Sequence, residues 1–222
     1  VFASSFNKYK FERKYKKNIY GASIIALAYI DNKCVGARAF WRNDLDGLKA
    51  YQPGDTAVLK EYRGFGIFTK MTYKALEVAG DDALIYNFPN DNSLPGYLKM
   101  GWDFHSRKRY KIYNPFIDYK NVDKIERDYM NWLLTDKDLD FNNSLFYTNV
   151  GRKHYLVRRK KFNFYVIIAE IDKEYVSHFK KAKFPICLCY SLKGYLGRGM
   201  VTVTRNFNED ISIPEHKMDT IF

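Results

Sequence analysis

The sequence predicts an α/β fold: a mixed, partly antiparallel and twisted sheet flanked by helices, followed by a smaller α+β region. Three observations predict it. Apolar runs of strand length recur along the chain, a segment with helical spacing of its apolar residues interrupts them, and 46% of the 222 residues are hydrophobic. A chain of this length and composition can bury a sizeable core. We expect two regions, residues 1–113 and residues 114–222.

Each element rests on a local pattern. Predicted strands of the first region are residues 22–30, 34–42, 48–59, 83–87 and 107–113, and a tight turn at residues 31–33 makes the first pair antiparallel. Predicted helices are residues 6–17, 67–79, which end at Gly80, and 93–101, where Ser93 can cap and Pro95 is tolerated.

The second region is harder to interpret. We predict helices at residues 122–134 and 173–181, and strands at residues 154–159, 162–171, 186–190 and 200–204. A basic helix followed by a strand pair also opens the first region. Residue identity between the halves is too low to establish an internal repeat.

The net charge is +12 and the pI is about 9.4, which favours an anionic partner. Nucleic acid, an acidic membrane surface and a phosphorylated cofactor all satisfy this condition. No apolar run approaches about 18 residues, so no membrane span is predicted. The cysteines Cys34, Cys187 and Cys189 form neither a disulfide framework nor a metal site, and we expect free thiols in a reducing cytoplasm.

A strand, a glycine-rich turn and an amphipathic helix follow one another within residues 56–79. Glycines let backbone N–H groups approach a phosphate, and a helix start offers unpaired donors and a favourable dipole. Arg63 adds a full charge. Alone, Arg-Gly-Phe-Gly is compatible with an ordinary strand-to-helix turn. The spacing matches neither a nucleotide P-loop nor a dinucleotide fingerprint.

A second motif follows at residues 90–102, with the spacing Asn90-x-x-Ser93-x-x-x-Tyr97-x-Lys99-x-Gly101-Trp102. Together with Arg63-x-x-Gly66-x-Phe68, it resembles the GNAT superfamily of acetyl-CoA-dependent acetyltransferases over about residues 20–112. Phe68 departs from the small residue usual there. The strand that usually precedes the first helices is not seen, and the second half carries no transferase motif. A degenerate second half of the same kind is consistent with this.

The resemblance implies a set of site residues. Acetyl-CoA would be bound by Val58, Arg63, Gly64, Phe65, Gly66, Ile67, Phe68 and Asn90. Tyr97 would be the general acid for the departing thiolate. Asp55 is the candidate base, and His105 is a weaker one. Asn90 could equally cap a turn, Tyr97 could merely pack on the cofactor, and Asp55 could be solvated or salt-bridged.

The resemblance also implies a function: transfer of an acetyl group from acetyl-CoA to an amine or hydroxyl of a small polar acceptor. An amino sugar or nucleotide-sugar is the preferred acceptor. The alternatives are acetylation of a protein or peptide, and a non-catalytic nucleic-acid-binding module on the same scaffold. The basic clusters at residues 8–17, 107–111 and 158–161 could be solvated surface or contact an acidic partner. We predict no specific nucleic-acid recognition and no metal, and the sequence leaves the oligomeric state open.

Overall fold

The computed structural model describes residues 7–114, 116, 118, 122–136, 144–183, 185–208 and 211–218. Phe6, the first residue of the predicted basic helix, lies outside this set. The chain forms two compact units, which are described separately. One comprises Val1–His105 with Val201–Ile211, and the other comprises Ser106–Met200 with Ser212–Phe222.

The helices are short except for one. They are α1 (Lys8–Phe11), α2 (Ile67–Ala79), α3 (Leu94–Lys99), α4 (Arg127–Leu134) and α5 (Glu215–Met218), with a π-helical turn at Glu12–Lys16 and 3₁₀ turns at Lys60–Tyr62 and Lys173–His178. The strands are β1 (Ile24–Ile30), β2 (Lys33–Arg42), β3 (Ala50–Val58), β4 (Leu84–Asn87), β5 (Asp103–Ile112), β6 (Leu145–Val150), β7 (Lys153–Arg159), β8 (Phe164–Ile171), β9 (Lys180–Lys181), β10 (Ile186–Ser191) and β11 (Leu196–Arg205). No helix in the described ranges is long and apolar enough to span a membrane.

The sheet of the first unit runs in the order β1-β2-β3-β4-β11. The first three strands are antiparallel, β4 is parallel to β3, and β11 is antiparallel to β4. The crossover from β3 to β4 contains the glycine turn and α2. The predicted mixed sheet flanked by helices is therefore confirmed.

Helix α2 follows from the spacing of its apolar residues. Ile67, Met71, Ala75 and Ala79 are buried and lie on one face, because they recur every three or four residues. The helix ends at Gly80, whose positive φ of 85° suits glycine and whose N–H donates to the Leu76 carbonyl. Ala75 and Ala79 join a core built on Phe40, Ile85, Tyr97, Trp102 and Val203, whereas Ile67 and Met71 pack with Val35.

The sheet of the second unit runs in the order β5-β10-β8-β7-β6-β9. Strands β6, β7 and β8 are antiparallel, β10 is parallel to β8, and β5 is antiparallel to β10. Apart from the additional edge strand β9, this is the strand arrangement of the first unit. In each unit the strand next to the parallel pair comes from the other half of the sequence: β11 pairs with β4, and β5 pairs with β10.

A bulge in the third strand of each arrangement strengthens the correspondence. In the first unit the register shifts between Ala37 and Ala39, opposite Gly54 and Ala57. In the second unit it shifts between Leu156 and Val157, opposite Ala169 and Ile167. In both cases the third strand carries one extra residue, which twists it away from regular pairing. The chain thus contains a structural repeat that residue identity alone does not establish.

The crossovers differ between the two units. The connection from β3 to β4 contains a 13-residue helix, whereas the one from β8 to β10 contains a six-residue 3₁₀ turn and β9. The helix predicted over residues 173–181 is therefore wrong, because residues 180–181 pair with β6. No glycine occurs in the second crossover, so the second unit lacks the glycine turn as well.

The observed elements differ from the predicted ones in further places. The helix expected over residues 122–134 begins only at Arg127, because the residues before it pair with β8. Strand β6 is absent from the sequence-based prediction. The basic segment predicted as a helix over residues 6–17 is helical from Lys8 to Lys16, but it changes from an α-helix to a π-helical turn, in which Arg13 and Tyr15 are buried. The three cysteines are free, as expected, and burial raises the pKa of Cys187 to about 11.

Candidate functional site

The central feature of the first unit is an opening between two parallel strands. Strands β3 and β4 pair only where Ala50 meets Leu84 and Tyr51 meets Ile85. β3 continues to Val58 and β4 to Asn87 without further pairing to each other. An opening at the carboxyl ends of adjacent strands is a common ligand site in α/β proteins, since the strand edges offer unpaired backbone groups there.

The corresponding edge in the second unit is covered by the chain itself. Lys124 forms a parallel bridge with Glu170 of β8. The Ile125 N–H donates to the Glu170 carbonyl at 3.0 Å, and the Glu170 N–H donates to the Asp123 carbonyl at 2.9 Å. No such bridge covers β3 among the residues that the structure describes. The opening is thus free in the first unit and filled in the second.

The glycine turn lies at the end of β3 and begins α2. Gly64 and Gly66 have positive φ angles of 85° and 73°, and no heavy atom would lie within 4 Å of a Cβ built on either. Within the described ranges, no acceptor is recorded for the backbone N–H groups of residues 64–68. Because α2 starts here, its dipole adds to these free donors, and the turn is suited to an anion.

A cleft of about 250 Å³ accompanies the turn. It is lined by Val58, Tyr62, Arg63, Gly64, Gly66, Ile67 and Phe68. The exposed Arg63 side chain folds back, so that its Nε donates to the Val58 carbonyl at 3.1 Å. Phe65 is 70% exposed at the tip of the turn. Six of the eight residues predicted to bind the cofactor therefore line one cleft, and a seventh, Phe65, adjoins it.

Tyr97 lies beside the opening in a polar cluster. It is 3% exposed. Its hydroxyl accepts hydrogen bonds from Arg38 Nη2 at 2.8 Å and from Asn87 Nδ2 at 2.5 Å. Its ring meets Phe68 edge-on with the centroids 6.0 Å apart. Since both neighbours donate to the phenol oxygen, the hydroxyl proton remains available for a third partner.

Asp55 lies at the bulge of β3, with a positive φ of 42° that is unusual for a residue with a side chain. Its Oδ2 accepts from Lys14 Nζ at 2.9 Å and from the Tyr15 hydroxyl. The carboxylate is half exposed, and its other oxygen has no recorded donor among the described residues. Asp55 is therefore salt-bridged, which is one of the alternatives considered for it. Its other carboxylate oxygen remains open to the molecule that would accept the acetyl group.

The other two predicted residues lie apart from this cluster. Asn90 is exposed, and its Oδ1 accepts from the backbone N–H of Ser93 at 2.9 Å. The side chain of Asn90, and not that of Ser93, therefore caps the turn into α3. This contact matches the turn-capping role that the sequence offered as the alternative to cofactor binding by Asn90. The His105 ring lies 6.0 Å from the Phe207 ring.

Sequence reasoning missed three members of the cluster: Arg38, Thr56 and Asn87. Arg38 is 1% exposed and also donates from Nη1 to Thr56 Oγ1 at 2.8 Å. One signal could have identified it. Residues 34–41 are apolar except for this arginine, and a cation within a buried strand requires a particular set of partners.

No family model matches the chain, and no curated protein matches it. Solved structures do match. Naa50 of Arabidopsis thaliana, in complex with a bisubstrate analogue CoA-Ac-MVNAL, is 22% identical over 48% of this chain and 72% of its own, with a TM-score of 0.38. A GCN5-related N-acetyltransferase from Kribbella flavida is 10% identical over 80% of this chain, with a TM-score of 0.47, and the match spans only 59% of its length.

A tandem GNAT protein from the clavulanic acid biosynthesis pathway is 11% identical over 85% of each chain, with a TM-score of 0.43. All three TM-scores lie below 0.5, and the fold is defined by the strand order and the glycine turn described above. The Kribbella flavida protein is a GCN5-related N-acetyltransferase and the clavulanic acid pathway protein is a tandem GNAT protein, and the chain is similar to proteins of this kind.

Proposed function

We propose that this chain transfers the acetyl group of acetyl-CoA to an amine or hydroxyl of a small polar acceptor. The observation that carries the proposal is the opening between β3 and β4, bordered by the turn of free backbone donors at the start of α2. An elongated ligand with a pyrophosphate at one end and a thioester at the other suits that combination. The extended arm would lie along the free edge of β3, as an added strand does.

The backbone N–H groups of residues 64–68 would donate to the pyrophosphate, with Arg63 adding charge. No heavy atom lies within 4 Å of the position that a Cβ would take on Gly64 or Gly66, and this open space leaves room for phosphate oxygens to approach. Val58 would present its backbone to the pantetheine arm. Phe68 would contribute packing in place of a small residue, since its ring lies against Tyr97. Asn90 would act on the loop before α3 rather than by direct contact.

Tyr97 would supply the proton for the departing thiolate. A thiol has a pKa of about 8.5, so its thiolate is a base that a phenol can protonate. Asp55 would receive the acceptor's proton through its open oxygen. An amino sugar or nucleotide-sugar remains our preferred acceptor, on the resemblance alone. The second unit would hold no cofactor, because its corresponding strand edge is covered by residues 123–125.

Calorimetric titration of the whole chain with CoA tests the proposal. We expect one site per chain, and a rise in unfolding free energy of about 2.7 kcal/mol at ~100-fold excess over Kd. No heat of binding and no thermal shift at millimolar CoA would remove the proposal. Two sites per chain would contradict the assignment of the second unit.

A further inference from the structure

Arg38 is among the largest fully buried side chains of the described residues, at 1% exposure. It forms no ion pair with a carboxylate of the described residues, and its Nε has no hydrogen-bond partner there. A buried cation without a counter-ion is costly, and an apolar residue of similar volume usually fills such a position at lower cost. Packing alone therefore gives no reason for an arginine in β2.

The guanidinium instead makes contacts that converge on the candidate acid. It donates to the Tyr97 hydroxyl and to Thr56 Oγ1, each at 2.8 Å. Its Cζ lies 4.3 Å from the centre of the Phe68 ring, in the first turn of α2. Through these contacts one side chain joins β2, β3, α3 and the start of α2. It fixes the phenol oxygen relative to the opening between β3 and β4.

Its chemistry suits a phenol that gives up a proton. Arginine can only donate, so it never competes for the Tyr97 proton. When Tyr97 loses that proton, its oxygen becomes negative between a guanidinium and the Asn87 amide, on a side chain that is only 3% exposed. Charge-assisted donors aimed at a developing anion strengthen as the charge appears.

We propose that Arg38 is a positioning residue for acetyl transfer: it holds Tyr97 and stabilises the phenolate that Tyr97 becomes on protonating the sulfur. This rests on the proposed function. The O–H bond of Tyr97 breaks as the S–H bond forms, the sulfur's bond to the acetyl group breaks, and the acceptor takes the acetyl group. The acceptor's proton passes to Asp55 or water, and Tyr97 regains a proton from solvent.

A double-mutant cycle tests the inference. Wild type, Arg38→Met, Tyr97→Phe and the double variant are assayed for thiol release from acetyl-CoA, with glucosamine or water as acceptor. CoA affinity is measured by calorimetry. Arg42→Met is the matched control, because Arg42 is a partly buried arginine of the same strand that pairs with Asp44 instead.

If Arg38 acts through Tyr97, Arg38→Met lowers kcat below the wild-type value, but by no more than Tyr97→Phe does, whose expected loss is ~10²- to 10⁴-fold; wild-type kcat in Arg38→Met overturns the inference. The double variant then matches Tyr97→Phe alone. CoA affinity stays within about threefold of wild type, since the substitution leaves the backbone donors of residues 64–68 in place. Arg42→Met keeps wild-type kcat. Arg38→Lys, which keeps the cation, recovers part of the loss.

Other outcomes overturn the inference. Losses that multiply in the double variant mean that Arg38 acts independently of Tyr97. A higher KM at unchanged kcat means that it acts in binding. If Arg38→Met fails to fold, Arg38→Lys decides: a partial loss of kcat at unchanged CoA affinity supports the inference, and either wild-type kcat or a loss as large as that of Tyr97→Phe contradicts it. A wild type that binds no CoA or releases no thiol refutes the proposed function instead.

Discussion

Substitution of Gly66 is the sharpest test of the proposed phosphate-binding turn. It has a φ of 73°, and a Cβ there would meet no heavy atom within 4 Å. Gly47, in the turn between β2 and β3, has a φ of 77° and equally open surroundings. Gly66→Asp and Gly47→Asp should therefore carry the same backbone strain, about 1 kcal/mol each. They differ in where the new carboxylate lies.

At Gly66 the carboxylate would face the site of the pyrophosphate. Two like charges about 5 Å apart repel by about 3 kcal/mol at an effective dielectric of 20. The turn is exposed, so salt and water reduce this, and we expect a loss of about 1–3 kcal/mol. That corresponds to roughly 5- to 150-fold weaker CoA binding. Gly66→Ala, which adds strain without charge, should lose much less.

The assay is isothermal titration of each variant with CoA and with pantetheine, which lacks the pyrophosphate. Gly66→Asp should weaken CoA binding and leave pantetheine binding unchanged. Gly47→Asp should bind both as wild type does. If folded Gly66→Asp binds CoA with wild-type affinity, or if Gly47→Asp loses binding equally, the turn does not hold the pyrophosphate.

The remaining predictions concern catalysis, pH dependence and nucleic acid. Tyr97→Phe should lower kcat by ~10²- to 10⁴-fold with CoA affinity unchanged; wild-type kcat on a genuine acceptor would exclude Tyr97 as an essential acid. Burial raises the pKa of Glu215 from 4.5 to about 7, so its contribution to stability is present below pH 4.5 and lost as pH rises through about 7. Urea unfolding of the parent and of Glu215→Gln should therefore show that the free energy of unfolding of the variant, relative to the parent, rises by up to about 3 kcal/mol between pH 4.5 and about pH 8. A difference between the two proteins that is the same at both pH values would contradict this. In titrations at physiological salt, no sequence-selective nanomolar binding of duplex DNA should occur, because no helix-turn-helix, zinc or basic-zipper pattern accompanies the positive charge.

Local patterns predicted the first unit well. The tight turn at residues 31–33 and the apolar runs around it became the hairpin of β1 and β2. Apolar spacing and the terminal glycine located α2 to the residue. These features depend on neighbours within a few positions, so the sequence carries them directly.

The second unit shows where local patterns are insufficient. Residues 122–126 have helical composition, yet pairing with Glu170 holds part of this segment in extended form. Residues 180–181 likewise pair with β6 instead of extending a helix. In both segments a tertiary hydrogen-bonding partner outweighs intrinsic helix propensity, which is worth only a few tenths of a kcal/mol per residue.

The sequence by itself determined the glycine turn, the helix that follows it and the candidate acid Tyr97, because motif spacing encodes all three. Only the tertiary structure decided which groups surround that acid. Arg38, Thr56 and Asn87 are up to 59 residues from Tyr97 in sequence and come from three different strands. Only the tertiary structure shows, too, that the β8 edge is covered by the chain while the β3 edge is open. Both outcomes depend on pairing between distant segments, which local spacing does not record.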